Sequence, residues 1–248
     1  MKNIILCLSV LLGFTMNAQW SYNSSSGNGV QMSTCTASGS YSTAMGSFTT
    51  ASASGSYSTA MGRYTTASGD ASTAMGDGTT ASAWASTAMG SYTTASGDAS
   101  TAMGNGTTAS DFASLTIGHY NSVNSTVTSG GNATSFDTDN AAFVIGNGIS
   151  GAVSDAFVVR FNGDATLSGD LTINSDERLK DNIQPLGSTL NKLHQIEGKT
   201  YSFKKDEEHT PKIGVLAQEV QLVFPELVTE GADGILSVNY QGLVPVLI

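Results

Sequence analysis

The stretch ASGDASTAMGDGTT at residues 67–80 returns as ASGDASTAMGNGTT at 95–108. Repetition at a fixed period constrains architecture more than any single residue, because every unit must build the same local structure and stack on its neighbours. Aligned on methionine, the units carry Met45, Met61, Met75, Met89 and Met103, with Ile117 in the next slot. The first step is 16 residues, absorbing an extra Ala-Ser in ASASGSYS, and the next four are 14. Each unit divides again into Ala-x-Gly-x-x-Ser-Thr and Ala-Met-Gly-x-x-Thr-Thr. A half-period of seven invites a coiled coil, but glycine in every half, abundant Ser and Thr, and the lack of Leu exclude one. Short Ser-Thr-Ala-Met and Thr-Thr-Ala-Ser segments bounded by glycine read as strands joined by tight turns, with Asp77-Gly78 and Asn105-Gly106 among the turn formers. One unit is then one coil of a β-solenoid, with two short strands and two turns.

Alanine and serine are what so narrow a coil can hold inside. Side chains alternate along a strand, so an inward Ala74 sends Thr73 and Met75 outward. Stacked coils place the five methionines and Ile117 in one outer ladder. At roughly 1.5–3 kcal/mol per buried side chain, six rungs are worth on the order of 10 kcal/mol. A stripe of that size is expected to be covered, which predicts an oligomer packed ladder to ladder around an axis. A second reading has the methionines fill the solenoid's own core. Neither makes them a cofactor site, and no cofactor or metal is expected.

The charges change abruptly near Ser175. Residues 19–174 hold nine Asp, no Glu, no Lys and two Arg, whereas 175–248 hold seven Lys or Arg against eleven Asp or Glu. A net charge of −10 argues against a nucleic-acid partner. The first residues, MKNIILCLSVLLGFTMNAQ, show one Lys, an apolar run from Ile4 to Phe14 and Met16-Asn17-Ala18 before Gln19. They read as a secretory signal peptide, residues 1–18, that exports the product from a bacterium to its surface or surroundings. The run is too short to span a bilayer, so no transmembrane anchor is expected, and Cys7 has no lipidation context. Cys35 is then the mature chain's one cysteine, read as a small buried hydrophobe in preference to an intermolecular bridge.

Five segments follow: signal peptide 1–18, lead-in 19–36, solenoid 37–122, a β neck or connector 123–174, and a C-terminal domain 175–248. Residues 121–140, rich in Asn, Ser, Thr and Gly, read as irregular. Ala142-Phe-Val-Ile-Gly-Asn-Gly148 and Ala156-Phe-Val-Val-Arg-Phe-Asn-Gly163 read as buried strands before Asn-Gly turns. Aromatics at the turns (Phe48, Tyr64, Tyr92, Phe112, Tyr120, Trp84, and Tyr41 or Tyr57) suit either packing between coils or a surface glycan or protein ligand. The Thr-Thr pairs, such as Thr79-Thr80, offer a second kind of function, a flat threonine face of the ice-binding sort. Asp70, Asp77, Asp98 and Asp111 are too isolated for a calcium site, and the sequons at Asn23, Asn124 and Asn132 are read as accidental.

The motif Ala-x-Gly-x-x-Ser-x-Ala-Met-Gly resembles the head repeats of trimeric autotransporter adhesins of the YadA type, over about residues 37–122. The resemblance implies an all-β left-handed parallel β-roll and a homotrimer. Those adhesins end in a membrane-anchor barrel, which this sequence is not expected to form.

From Ser175 the chain reads SDERLKDNIQPL, TYSFK, IGVLAQEVQLVFPELV and GILSVNYQGLVPVLI. Ser-Asp-x-Arg-x-Lys, Gly-x-x-Ala-Gln-Glu-Val, Pro-Glu and Val-x-Tyr in that order resemble the intramolecular chaperone domain of phage tail-spike endosialidases, which also occurs in a membrane-bound transcription factor of animals. The resemblance implies a small α+β domain that trimerises the fibre upstream and then removes itself once, acting only in cis. Ser175 would be the nucleophile, Lys180 the general base and Asn174–Ser175 the cut bond. An ordinary lysine, with a pKa near 10.4, is neutral in only about one molecule in 2,500 at pH 7, so burial on assembly would have to activate it. Against this stands a plain structural reading: Ser175 as a helix N-cap with Asp176 and Glu177 in the first turn and Lys180 solvated. A helix also sets positions i and i+5 about 140° apart, so the pair needs a bend or a neighbouring chain to meet. Leu190, Leu193 and Ile196 suggest a helix, Lys199–Phe203 a strand and Val215–Val223 a second helix. His194 and His209 lack metal spacing. The sequence stops at Leu247-Ile248, where that family usually continues into a coiled-coil-forming helix, so either chaperone activity is weakened or the sequence is a fragment. The expected product is an exported trimeric fibre or adhesin that cleaves itself; the alternative is a fibre that keeps its C-terminal domain as a permanent trimerisation cap.

Overall fold

The computed structural model describes residues 20–23, 29–32, 34–51, 55–122, 132–204 and 209–248. The expected signal peptide with Cys7 lies outside these residues, as do all or part of the sequons at Asn23 and Asn124. The chain divides after Thr172 into two compact units.

The first unit is a β-solenoid of about six coils. Thr43–Ser47, Thr59–Arg63, Thr73–Asp77, Thr87–Ser91, Thr101–Asn105 and Leu115–His119 pair in parallel, methionine against methionine and Met103 against Ile117. The short strands from Thr36–Ala37 to Thr108–Ala109 make a second, six-stranded parallel sheet. Alanines of both sheets are fully buried, Ala44, Ala60, Ala74, Ala88 and Ala102 facing Ala51, Ala67, Ala81, Ala95 and Ala109. The methionines therefore point outward and stay partly exposed, and they do not fill the core. The first threonine of each pair, Thr49, Thr65, Thr79, Thr93 and Thr107, is buried, and its hydroxyl has no partner. Only the second lies on the outer face, so each coil shows one threonine there instead of the pair that the ice-binding reading needs. Cys35 occupies the buried-threonine column, its Sγ donating to the Gly46 carbonyl at 3.3 Å.

Close stacking explains the fixed glycine that follows methionine. At Gly76 (φ 123°) a Cβ would stand 1.9 Å from the carbonyl oxygen of Gly90. The corners also demand left-handed backbone, because the residue there must turn its N–H to a carbonyl of the preceding coil, as Tyr92 does to Asp77 and Ala99 to Trp84. For a residue with a Cβ this conformation costs roughly 1–2 kcal/mol. Asp side chains of the following coil close further corner N–H groups, Asp70 accepting from Ser56 and Asp98 from Trp84.

The first sheet continues beyond the sixth coil. After an excursion, Ala141–Asn147 adds in parallel to Leu115–His119, with Ile145 opposite Ile117 and Gly146 opposite Gly118. Asp155–Arg160 and Ala165–Leu167 then follow antiparallel. At the other end Gly29–Met32 runs parallel to Thr43–Ser47 and pairs antiparallel with Trp20–Asn23. The short-strand sheet stops at Thr108–Ala109, where side chains replace the missing strand. Asn121 accepts from the Thr108 N–H at 2.7 Å and donates to its carbonyl at 3.0 Å. Asn140 binds the backbone of Asn132 and Ser135, and buried Asp111 accepts from the Ala141 N–H at 2.7 Å.

The second unit is a small α+β fold. A one-turn helix, Leu190–Leu193, stands where a longer one was expected, and the second helix is Ala217–Val223. Lys199–Tyr201 pairs with Lys212–Gly214, and Val228–Glu230 with Leu236–Val238. Val220, Phe224 and Val246 form its buried centre, with Leu193, Ile196, Val215 and Val238 partly buried around them.

Candidate functional site

Ser175 and Lys180 lie on an exposed, largely extended segment at the start of the second unit. One 3₁₀ turn, Glu177–Leu179, separates them, and the backbone is extended on both sides of it. A continuous helix would have pointed the two side chains apart. The single turn folds the chain back and brings Lys180 Nζ to 2.7 Å from Ser175 Oγ, the ammonium donating. The turn is capped by Asp176, not by Ser175: its carboxylate accepts the Arg178 N–H at 2.9 Å and pairs with the Arg178 guanidinium at 3.0 and 2.7 Å. The same guanidinium holds the Asp176 carboxyl below its ordinary pKa. Ser175 is thus left free of the capping duty that the plain structural reading assigned to it. The Asp-x-Arg spacing, i to i+2, is the signal in the sequence from which this clamp could have been read.

Elsewhere in this unit Lys199 pairs with Glu197 and, at 3.3 Å, with Glu219, which raises the lysine's pKa and lowers that of Glu197. This cluster ties the strand Lys199–Tyr201 to the helix Ala217–Val223 and leaves no free nucleophile. Among the described residues no group of His, Cys, Asp and Glu is arranged to hold a metal ion, and no helix is long and apolar enough to cross a membrane.

In the solenoid the structure brings Met45, Met61, Met75, Met89, Met103 and Ile117 into one outer column, as alternation predicts, and adds Ile145 to it. The corners carry Tyr41 stacked on Tyr57 and Phe48 on Tyr64. Arg63 lies over the Tyr64 ring and forms a two-point ion pair with Asp77 one coil on.

Each unit matches a known family. Residues 37–65, 53–79 and 81–107 match the YadA head domain repeat, and residues 175–229 match the chaperone of endosialidase. Among curated relatives, the long tail fiber protein Gp37 of Escherichia phage AR1 is 38% identical over 88 residues, 32% of this chain and 8% of that protein. Gp37 of Salmonella phage S16 is 29% identical over 126 residues, covering 47% of this chain and 16% of the relative. Gp37 of Enterobacteria phage K3 is 33% identical over 134 residues, covering 48% and 11%. The chain therefore spans less than a fifth of the length of these relatives.

Proposed function

We propose that the chain is an extracellular fibre subunit, adhesin-like or tail-fibre-like, which assembles as a homotrimer through its second unit and then cuts once between Asn174 and Ser175. The observation that carries the cleavage is the 2.7 Å approach of Lys180 Nζ to Ser175 Oγ on an exposed strand of chain. Neutral lysine takes the serine proton, and Oγ attacks the carbonyl carbon of Asn174. The Asn174 C–N bond breaks, the lysine returns the proton to the leaving nitrogen, and an ester links Asn174 to the Ser175 oxygen. Water hydrolyses the ester, leaving an Asn174 carboxylate and Ser175 with a free amine and hydroxyl. In a single chain the lysine is exposed to water. Neighbouring chains that cover this segment supply the desolvation that makes it a base, so cutting waits for assembly.

Trimer formation is supported by two surfaces. The methionine column lies on an outer face, and the second unit exposes Leu179, Ile213 and Leu222 at 71–85% while burying only three apolar side chains at its centre. Once the assembling unit is gone, the fibre cannot easily retrace its assembly, and its persistence becomes kinetic.

Intact mass and a denaturing gel on wild type, Ser175→Ala and Lys180→Ala test the cleavage. A wild-type break at Asn174–Ser175 that disappears in both variants is expected. Full-length wild type that still scatters light as a trimer would leave a fibre with a permanent trimerisation cap and remove the dyad.

A further inference from the structure

Because every coil repeats one backbone, residues of one column can be compared within a single molecule. At the corner after the long strands the column reads Phe48, Tyr64, Gly78, Tyr92, Gly106, Tyr120, all with φ between 38° and 63°. Glycine adopts this conformation without steric cost, and Gly78 and Gly106 show that the coil accepts it. Four coils nevertheless place an aromatic ring on a backbone that disfavours it. Burial does not explain the choice at Phe48, Tyr64 and Tyr92, which leave 56–62% of their surface exposed, whereas Tyr120 is half-buried and meets the His119 ring edge-on at 4.7 Å. Stacking accounts for Phe48 on Tyr64, with ring centres 5.3 Å apart. Tyr92 stacks on no other ring among the described residues. It lies over Gly78, where a Cβ would stand 2.8 Å from the ring, and Tyr120 lies over Gly106 in the same way at 2.5 Å.

We propose that this corner, from Phe48 to Tyr120, is a track for an elongated neutral polysaccharide, with the rings packing on the C–H faces of successive sugars. The proposal deepens the fibre reading above and rests on it for the presence of three tracks in one particle. Three features select this ligand class. The rings stand on a convex corner and not in a pocket, so the ligand must be extended. The glycines set Tyr64, Tyr92 and Tyr120 two coils apart, about 10 Å at the usual strand spacing, so it must also be periodic. Charge disfavours a polyanion, because residues 19–174 carry nine Asp against Arg63 and Arg160, and Arg63 is held by Asp77. Ser91 and Asn105, beside the track, offer partners for sugar hydroxyls. Three weak tracks in one particle would bind with avidity.

The test uses the full chain and a Tyr64→Gly/Tyr92→Gly/Tyr120→Gly variant, which places in those coils the residue the column already holds at 78 and 106. Both run in native gels cast with laminarin, galactomannan or hydroxyethyl cellulose, beside an alginate gel, and both are weighed by light scattering. Retardation of the wild type by at least one neutral polymer, reduced at least tenfold in the variant at unchanged particle mass, is expected. No retardation by the three neutral polymers, equal retardation of the variant, or a preference for alginate would overturn the track. A variant that falls to a smaller particle would overturn it too, assigning the corner to contacts between copies. A wild-type monomer with ring-dependent retardation would uphold the track and count against the trimer.

Discussion

Thr79 fills the solenoid core with its hydroxyl unpartnered, as do Thr49, Thr65, Thr93 and Thr107 in the same column. Coils about 4.8 Å apart are too distant for hydroxyl to bond hydroxyl along the column. A buried hydroxyl without a partner costs about 1–3 kcal/mol, and valine has nearly the same shape. Thr79→Val is therefore expected to stabilise the solenoid by about 1 kcal/mol, read as a higher midpoint in guanidinium denaturation. The sequence displayed the Thr-Thr pair but not its division, because both residues are polar and only the coil's geometry decides which turns inward. The methionines were legible, since the small alanine before each one takes the inner face and leaves methionine only the outer one. Asp111 was not. It takes the corner position that Gly69 and Gly97 hold in earlier coils, and was set aside as an isolated acid. Burial raises its pKa above the ordinary carboxylate value, opposed by the Ala141 N–H and Arg160 and reinforced by Asp137. With the folded value raised, its stabilising contribution is complete below about pH 3.9 and is lost as pH rises through the folded value. Asp111→Asn is expected to gain stability at pH 7 relative to wild type and to flatten the pH dependence above pH 4, measured by thermal melts across pH.

The solenoid's two sheets end differently, and that difference is a property of elements. The long-strand sheet passes on to Ala141–Asn147, whereas the short-strand sheet stops and is closed by the Asn121 amide. Asn121 stands one period after Thr107, in the buried-threonine column, and its amide supplies the donor and acceptor that a seventh short strand would bring. Asn121→Ala leaves the Thr108 N–H and carbonyl without these partners, and a loss of about 2 kcal/mol is expected. Faster hydrogen exchange at the Thr108 amide, with the middle coils unchanged, would localise it. Ile145 was not legible in the repeat, because the excursion before it doubles the step from 14 to 28 and Phe143-Val144 stands where the methionine coils have Thr-Ala. The turn at Asp176 escaped for another reason. A polar run with good capping residues predicts a helix, yet Lys180 is extended (φ −118°, ψ 150°), and that single departure makes the approach to Ser175 possible.

For the whole molecule, we propose the outer column from Met45 to Ile145 as the surface through which the solenoid assembles. Met75→Asp with Met89→Asp leaves both side chains on the outside of the coil, so the single chain keeps its sheet pairing. Carboxylates brought together at a shared axis repel, and the doubly substituted protein is expected to lose the trimer while circular dichroism still reports β structure. A trimer mass retained in light scattering would move the contact away from this column. A different consequence follows from the stacking itself. Between the two ends each coil pairs with coils like itself, and the closing residues Asp111, Asn121 and Asn140 stand only at the far end. Removing residues 67–80 puts each column residue in contact with its own equivalent, and shortens the rod by about 4.8 Å. The solenoid is in this sense a ruler graduated in coils. Unequal recombination between its near-identical repeats can change the length of the solenoid, without rewriting either end.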